Sequence, residues 1–204
     1  MSKVLLATHN AKKLAELRRI LEPEVPGIEV LGLDDVASYD EPVETEPTFA
    51  GNALLKARAA VAATGLPALA DDSGLCVDAL NGMPGVLSAR WSGRDKDDAA
   101  NNALLLAQLA DVPDERRGAA FVAAVAFVRP DGAGGTAEDV VHGEMVGAVL
   151  RDPRGAGGFG YDPLFVPAGY PVTSAELSPE DKDRLSHRGQ ALRAIAPIVA
   201  EALG

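Results

Sequence analysis

The chain has 204 residues, 47% of them apolar, and a formal net charge of -11. That length suits one domain with a sizeable core, the apolar share excludes a disordered chain, and the acidic balance argues against wrapping polymeric nucleic acid, which needs a basic footprint. Cys76 is the only cysteine, which excludes an intrachain disulfide and suits a reducing cytoplasm, while no apolar run reaches the roughly 18 residues of a membrane span and the first residues lack the layout of a signal peptide.

In chain order, Lys3–Ala7 reads as a short apolar strand ending at Thr8-His9-Asn10. Asn10 suits an N-cap, and Leu14, Leu17 and Leu21 recur at helical spacing, so a helix is expected over Ala11–Leu21. Ile28–Leu33 suits a second strand. Thr48–Thr64 is rich in Ala and Leu and stops at Gly65, an ordinary helix end. Ala68–Ala70 is expected to be a short strand ending in Asp71-Asp72-Ser73-Gly74. Asp97–Leu109 has helical spacing. Ala119–Val128 is apolar on both faces, as in a central strand, and Asp139–Leu150 returns as its antiparallel partner after a turn at Arg129–Gly135. A Gly-rich loop, 155–160, precedes a short strand at Leu164–Val166. A helical region from about Ser178 ends the chain, with Pro197 placed to kink or restart it. The alternation gives an α/β class with a mixed sheet and no internal repeat.

Five clusters can carry chemistry. The Thr8-His9-Asn10-Ala11-Lys12-Lys13 run joins a strand end to a helix start, where free N–H groups and the helix dipole favour phosphate. An Asn cap followed by surface lysines is the plainer reading. Between Arg19 and Lys56 the chain has no Lys or Arg but nine acids. Most are solvated, and Glu44, just before a helix, is the best placed to meet a hard cation. Asp71-Asp72 follows a strand, a position that suits Mg²⁺ and proton abstraction from water. An Asx turn closed by Gly74 fits the same residues. Neighbouring strand residues face opposite ways, so one of the two carboxylates at most aims at a reacting atom.

Gly155-Ala156-Gly157-Gly158-Phe159-Gly160-Tyr161-Asp162 matches G-x-G-x-x-G, but Asp162-Pro163-Leu164-Phe165-Val166 follows it instead of a helix, so the dinucleotide reading fails. A glycine loop bearing Phe and Tyr suits a base or ribose contact, and a simple turn fits equally. Lys182 with Ser186-His187-Arg188 gathers cations near a helix start; a solvated helix face is the alternative. His9, His142 and His187 form no metal-ligand pattern, and no P-loop motif occurs.

In order, KVLLATHNAKKLAEL, ETEPTFAGNALLKARAA, LADDSGLCVDALNGMPGVLSARWSG, GGFGYDPLF and AELSPEDKDRLSHRGQAL resemble the inosine-triphosphate pyrophosphatase family, also called XTP/dITP diphosphatases. The resemblance runs from about Lys3 to Leu192. It implies an elongated two-lobed mixed-sheet α/β fold over residues 1–204, acting as one domain with the nucleotide in the cleft between lobes. It further implies Mg²⁺ dependence, a cytoplasmic homodimer, and hydrolysis of non-standard purine triphosphates to monophosphate and pyrophosphate. Carried over, Thr8, His9, Asn10, Ala11, Lys12 and Lys13 hold the triphosphate, and Lys56 faces the phosphates. Asp72 is the catalytic base and a metal ligand, with Glu44 and Asp71 helping at the metal. Ser73, Phe159, Gly160, Tyr161, Asp162, Lys182, His187 and Arg188 contact the nucleotide. His9 stands where the family often has Gly. A non-catalytic nucleotide binder gains little from two carboxylates beside phosphate without a metal; removal of the terminal phosphate alone is the other enzymatic reading.

Overall fold

The computed structural model describes residues 2–93 and 96–204, the side chains of Lys12 and Leu17 excepted. Its main elements are β1 (Lys3–Leu6), α1 (Ala11–Glu24), β2 (Glu29–Leu31), α2 (Phe49–Thr64), β3 (Ala68–Val77), β4 (Met83–Pro84), α3 (Asp98–Gln108), β5 (Gly118–Pro130), β6 (Thr136–Val149), β7 (Phe165–Pro167), α4 (Pro179–Leu185) and α5 (His187–Leu203). The strand order is β2-β1-β3-β5-β6-β7, with β4 paired to β3. β1 runs parallel to β2 and β3, whereas β4 on β3 and β7 on β6 are antiparallel. The mixed α/β class expected from the sequence is the class observed. Among the described residues no helix is long and apolar enough to cross a membrane.

Local chemistry sets most boundaries. Asn10 Oδ1 accepts the Lys13 N–H at 3.1 Å, capping α1. Thr48 caps α2 by accepting from the Gly51 N–H, and Gly65 ends it in the left-handed region at φ 71°. Asp97 accepts from the N–H groups of Ala99 and Ala100 at the head of α3.

The chain forms two compact units. The first comprises Met1–Asp72, Ala123–Gly143 and Arg188–Gly204. Alternation along its strands builds two apolar layers. Val4 and Leu6 of β1, Leu69 of β3 and Val125 and Phe127 of β5 pack with Ile20 and Leu21 of α1 and Leu192, Ile195 and Val199 of α5. On the other face Leu5, Ala68, Ala70, Ala124 and Ala126 meet Ala53, Ala57, Ala60 and Val61 of α2. The small residues on both partners let α2 approach the sheet closely. The second unit comprises Ser73–Val122 and Glu144–His187. Its core joins Leu75 and Val77 of β3, Leu105 and Leu109 of α3, Phe121 of β5, and Tyr161, Leu164 and Phe165.

Two expectations need correction. β3 does not stop at Ala70; it continues through Asp71-Asp72-Ser73-Gly74 to Val77. The carboxylates remain in the strand because a side-chain donor on each face, Lys13 for Asp71 and Asn52 for Asp72, engages one oxygen of each, which removes the need for an Asx turn. Pro197 does not restart the helix, since α5 runs through it to Leu203. Burial of Ile195, Ala196 and Val199 around it offsets the lost backbone hydrogen bond. The break in the helical region falls at Ser186, which is extended at ψ 151°.

Candidate active site

In the first unit, side chains converge where β1 and α1 meet. The turn Thr8-His9-Asn10 is tied by the Asn10 N–H to Thr8 Oγ1 at 3.2 Å. Beside it Leu6, Ala7, Thr8, Leu69, Ala70, Asp71 and Val125 line a gap too narrow for a water molecule. His9 is exposed, with Nε2 3.5 Å from Glu41 Oε1. Ala11 is exposed, and the Lys12 side chain lies outside the described residues. Lys13, one turn into α1, reaches back so that Nζ lies 2.8 Å from Asp71 Oδ2.

Asp71 and Asp72 point to opposite faces of β3, as alternation requires. Asp71 turns toward α1 and α5. Its burial alone pushes the carboxyl up, but the charges of Lys13, Arg188 and Lys56 outweigh burial together and hold it well below the usual carboxylate range. Its Oδ1 is buried with no hydrogen-bond partner among the described residues. Asp72 turns toward α2, where Asn52 Nδ2 donates to its Oδ2 at 2.9 Å. Burial raises Asp72, and Lys56, Asn52 and Lys13 do not fully reverse that. Adjacent residues of one strand are thereby tuned in opposite directions. Lys56 of α2 ties the cluster together: Nζ donates to Glu44 Oε1 and to the Asp71 carbonyl, each at 2.7 Å. Burial lowers Lys56, but Asp71, Glu44 and Asp72 together raise it above an ordinary lysine. Its contacts are therefore with the acids.

Arg188, at the start of α5, is 3% exposed, and its Nε lies 3.3 Å from Glu16 Oε2 on α1. Sequence reasoning missed Glu16 and Asn52. Asn52 could have been found as a lone amide in an Ala-rich helix; it is fully buried and also accepts the Glu46 N–H.

In the second unit, Phe159, Asp162 and Lys182 form one group. Asp162 Oδ2 accepts from the Phe159 N–H at 2.8 Å and from Lys182 Nζ at 2.6 Å. The same ammonium stands 5.0 Å from the centre of the Phe159 ring. Tyr161 is buried, and its hydroxyl donates to the Ser88 carbonyl. The His187 ring stacks on Phe121 at 5.0 Å and 10°, a partner that sequence reasoning did not find. Ser73 is half-buried in β3. The loop glycines also answer to packing within the protein. A Cβ at Gly155 or Gly157 would strike Ala175, and one at Gly158 would strike Asp162. Their smallness admits the 175–176 segment and the Asp162–Lys182 pair.

Among the described residues no three His, Cys, Asp or Glu side chains close a metal cage by themselves. The first unit thus combines a phosphate-type turn, two lysines and three carboxylates, while the second presents a braced aromatic loop. A strand-to-helix turn beside lysines and carboxylates is suited to binding phosphate groups. Residues 4–198 match the Ham1 family, and the chain belongs to that family. A dITP/XTP pyrophosphatase of Nocardia farcinica is 66% identical over 98% of this chain and 96% of its own. One from Mycobacterium tuberculosis is 60% identical, with 98% and 96% covered. Among solved structures, a HAM1 protein from Coxiella burnetii superposes with a TM-score of 0.88 at 40% identity, covering 98% of this chain and 100% of that one.

Proposed function

We propose that this chain hydrolyses non-standard purine nucleoside triphosphates (ITP, dITP and XTP) to the monophosphate and pyrophosphate. The observation that carries this reading is the grouping of Asp71, Asp72 and Glu44 with Lys13 and Lys56 beside the Thr8–Lys13 turn, in a chain whose relatives are named dITP/XTP pyrophosphatase.

The turn and Lys13 receive phosphate oxygens through N–H donors and positive charge. Lys56 holds Glu44 beside the Asp71 backbone. Water attacks the α-phosphorus in line, its proton passes to Asp72, and the bond to the β-phosphoryl oxygen breaks with pyrophosphate leaving. A base works best when its pKa lies near the working pH, and burial moves Asp72 in that direction. Asn52 fixes the orientation of the carboxylate. The donor set fits Mg²⁺, which is commonly held by one or two carboxylates plus substrate phosphates. Asp72 and Glu44, both on the α2 side of β3, are the carboxylates that would hold it, and Asp71 on the opposite face would support them through its carbonyl contact with Lys56. When bound, Mg²⁺ would supply positive charge to offset that of the phosphates.

Ser73, Phe159, Gly160, Tyr161, Asp162, Lys182 and His187 serve the nucleoside: Phe159 offers a ring face, and Tyr161 acts through its backbone. Arg188 donates and never accepts, which suits a carbonyl at purine position 6 and disfavours the adenine amino group. In this reading the chain works as one domain and as a cytoplasmic homodimer. The test is purified protein with Mg²⁺ and a panel of ITP, dITP, XTP, GTP and ATP, assayed separately for pyrophosphate and orthophosphate. Pyrophosphate release with ITP and XTP far ahead of ATP is expected. Orthophosphate release, or ATP turned over as fast as ITP, contradicts the reading.

A further inference from the structure

Gly160 is gripped on both sides by one helix face. Asp98 Oδ2 accepts its N–H at 2.7 Å, and Asn102 Nδ2 donates to its carbonyl at 3.0 Å. Asp98 and Asn102 stand four apart on α3, the spacing that places side chains side by side. Gly160 is in the left-handed region at φ 62°, with nothing within 4 Å of where a Cβ would sit. Glycine is there for its backbone, and a glycine peptide left alone turns readily between basins. The N–H belongs to the peptide plane shared with Phe159 and the carbonyl to the plane shared with Tyr161. Holding both atoms therefore fixes both planes and, through them, the backbone from which the Phe159 ring projects. Asp162 and Lys182 hold Phe159 from its other side.

We infer that Asp98 and Asn102 are positioning residues that set the nucleoside-recognition loop for purine binding. This rests on the proposed function, in which Phe159 meets the nucleoside. Both residues act through Gly160 and take no part in phosphate chemistry, so their loss appears in KM for the nucleotide and leaves kcat at saturation intact.

The experiment compares wild type with Asp98→Ala, Asn102→Ala and the double variant. Measured are kcat and KM for ITP, inhibition by inorganic tripolyphosphate, and hydrogen exchange at the Phe159 and Gly160 amides. The double variant is expected to raise KM by at least about tenfold, the low end for a lost hydrogen bond to a charged group, with kcat within about twofold. Exchange at Gly160 accelerates, and tripolyphosphate, which has no nucleoside, inhibits as in wild type. An unchanged KM overturns the inference, as does a loss of kcat and tripolyphosphate inhibition in parallel. Asp98→Ala removes an exposed hydrogen bond and keeps the test open where Asn102→Ala fails to fold. A wild-type protein without activity on ITP counts against the proposed function, a result separate from either outcome above.

Discussion

Each unit of the molecule contains a buried aspartate that binds a lysine, and the two pairs are used differently. In the first, Lys13 Nζ lies 2.8 Å from Asp71 Oδ2; in the second, Lys182 Nζ lies 2.6 Å from Asp162 Oδ2. Asp71 is surrounded by cations from three helices and keeps a buried oxygen without a partner among the described residues. Asp162 spends its oxygen on the Phe159 N–H as well, and its lysine covers the Phe159 ring. One pair concentrates charge with an acceptor to spare, which suits binding and chemistry. The other closes a loop upon itself, which suits recognition. A buried salt bridge is therefore read by what its remaining lone pairs and protons do.

The sharpest way to separate these roles is Asp72→Asn beside the first pair. The shape is kept while the base is lost, so kcat should fall by ~10²–10⁴-fold. Stability should hold, because burial raises Asp72 in the folded state and its charged form costs folding energy at neutral pH. Steady-state kinetics at saturating Mg²⁺ with a melting curve decides; near-normal kcat in a folded variant removes Asp72 from the mechanism. Lys13→Ala comes next. It strands a buried carboxylate, a change that typically costs about 3–5 kcal/mol. Chemical denaturation should show that loss, with much of it recovered in the Lys13→Ala, Asp71→Asn double variant. Equal stability of Lys13→Ala and wild type would mean the pair contributes nothing.

Lys182→Ala breaks the second pair. It should lower kcat/KM by about 10- to 150-fold, mainly through KM, because it frees Phe159 and leaves the acid cluster alone. A fall carried by kcat would erase the distinction between the pairs. The smallest effect concerns pH. The folded-state pKa of Asp71 is depressed, so its stabilising contribution is complete above the ordinary unfolded value of ~3.9 and is lost as pH falls through the lower folded value. The stability gap between wild type and Asp71→Asn should stay constant from about pH 7 to about pH 5 and narrow toward about pH 3. A gap that widens on acidification contradicts the assigned direction.

The fold was largely legible where local chemistry decides it. Asn10, Thr48, Asp97 and Gly65 mark helix ends by side-chain acceptance or a positive φ, and the apolar run of β5 announces a buried strand. It was less legible where tertiary partners override local preference. Asp71-Asp72-Ser73-Gly74 has turn composition, yet Lys13 and Asn52 keep it extended. Pro197 has breaker chemistry, yet the core around it carries the helix through. The candidate site residues were visible as charges and glycines in an ordered set of motifs. Their partners were not: Glu16, Asn52, Phe121, Asp98 and Asn102 lie on ordinary helices and strands, and only the packing brings them to the residues they hold.

Cleavage between the α- and β-phosphates is the central claim, and isotope placement tests it most directly. Hydrolysis of ITP in ¹⁸O-water, followed by mass spectrometry of both products, should put the label in the monophosphate and leave pyrophosphate unlabelled. Label confined to pyrophosphate would contradict attack at the α-phosphorus, and a diphosphate with orthophosphate as products would contradict the site of cleavage itself.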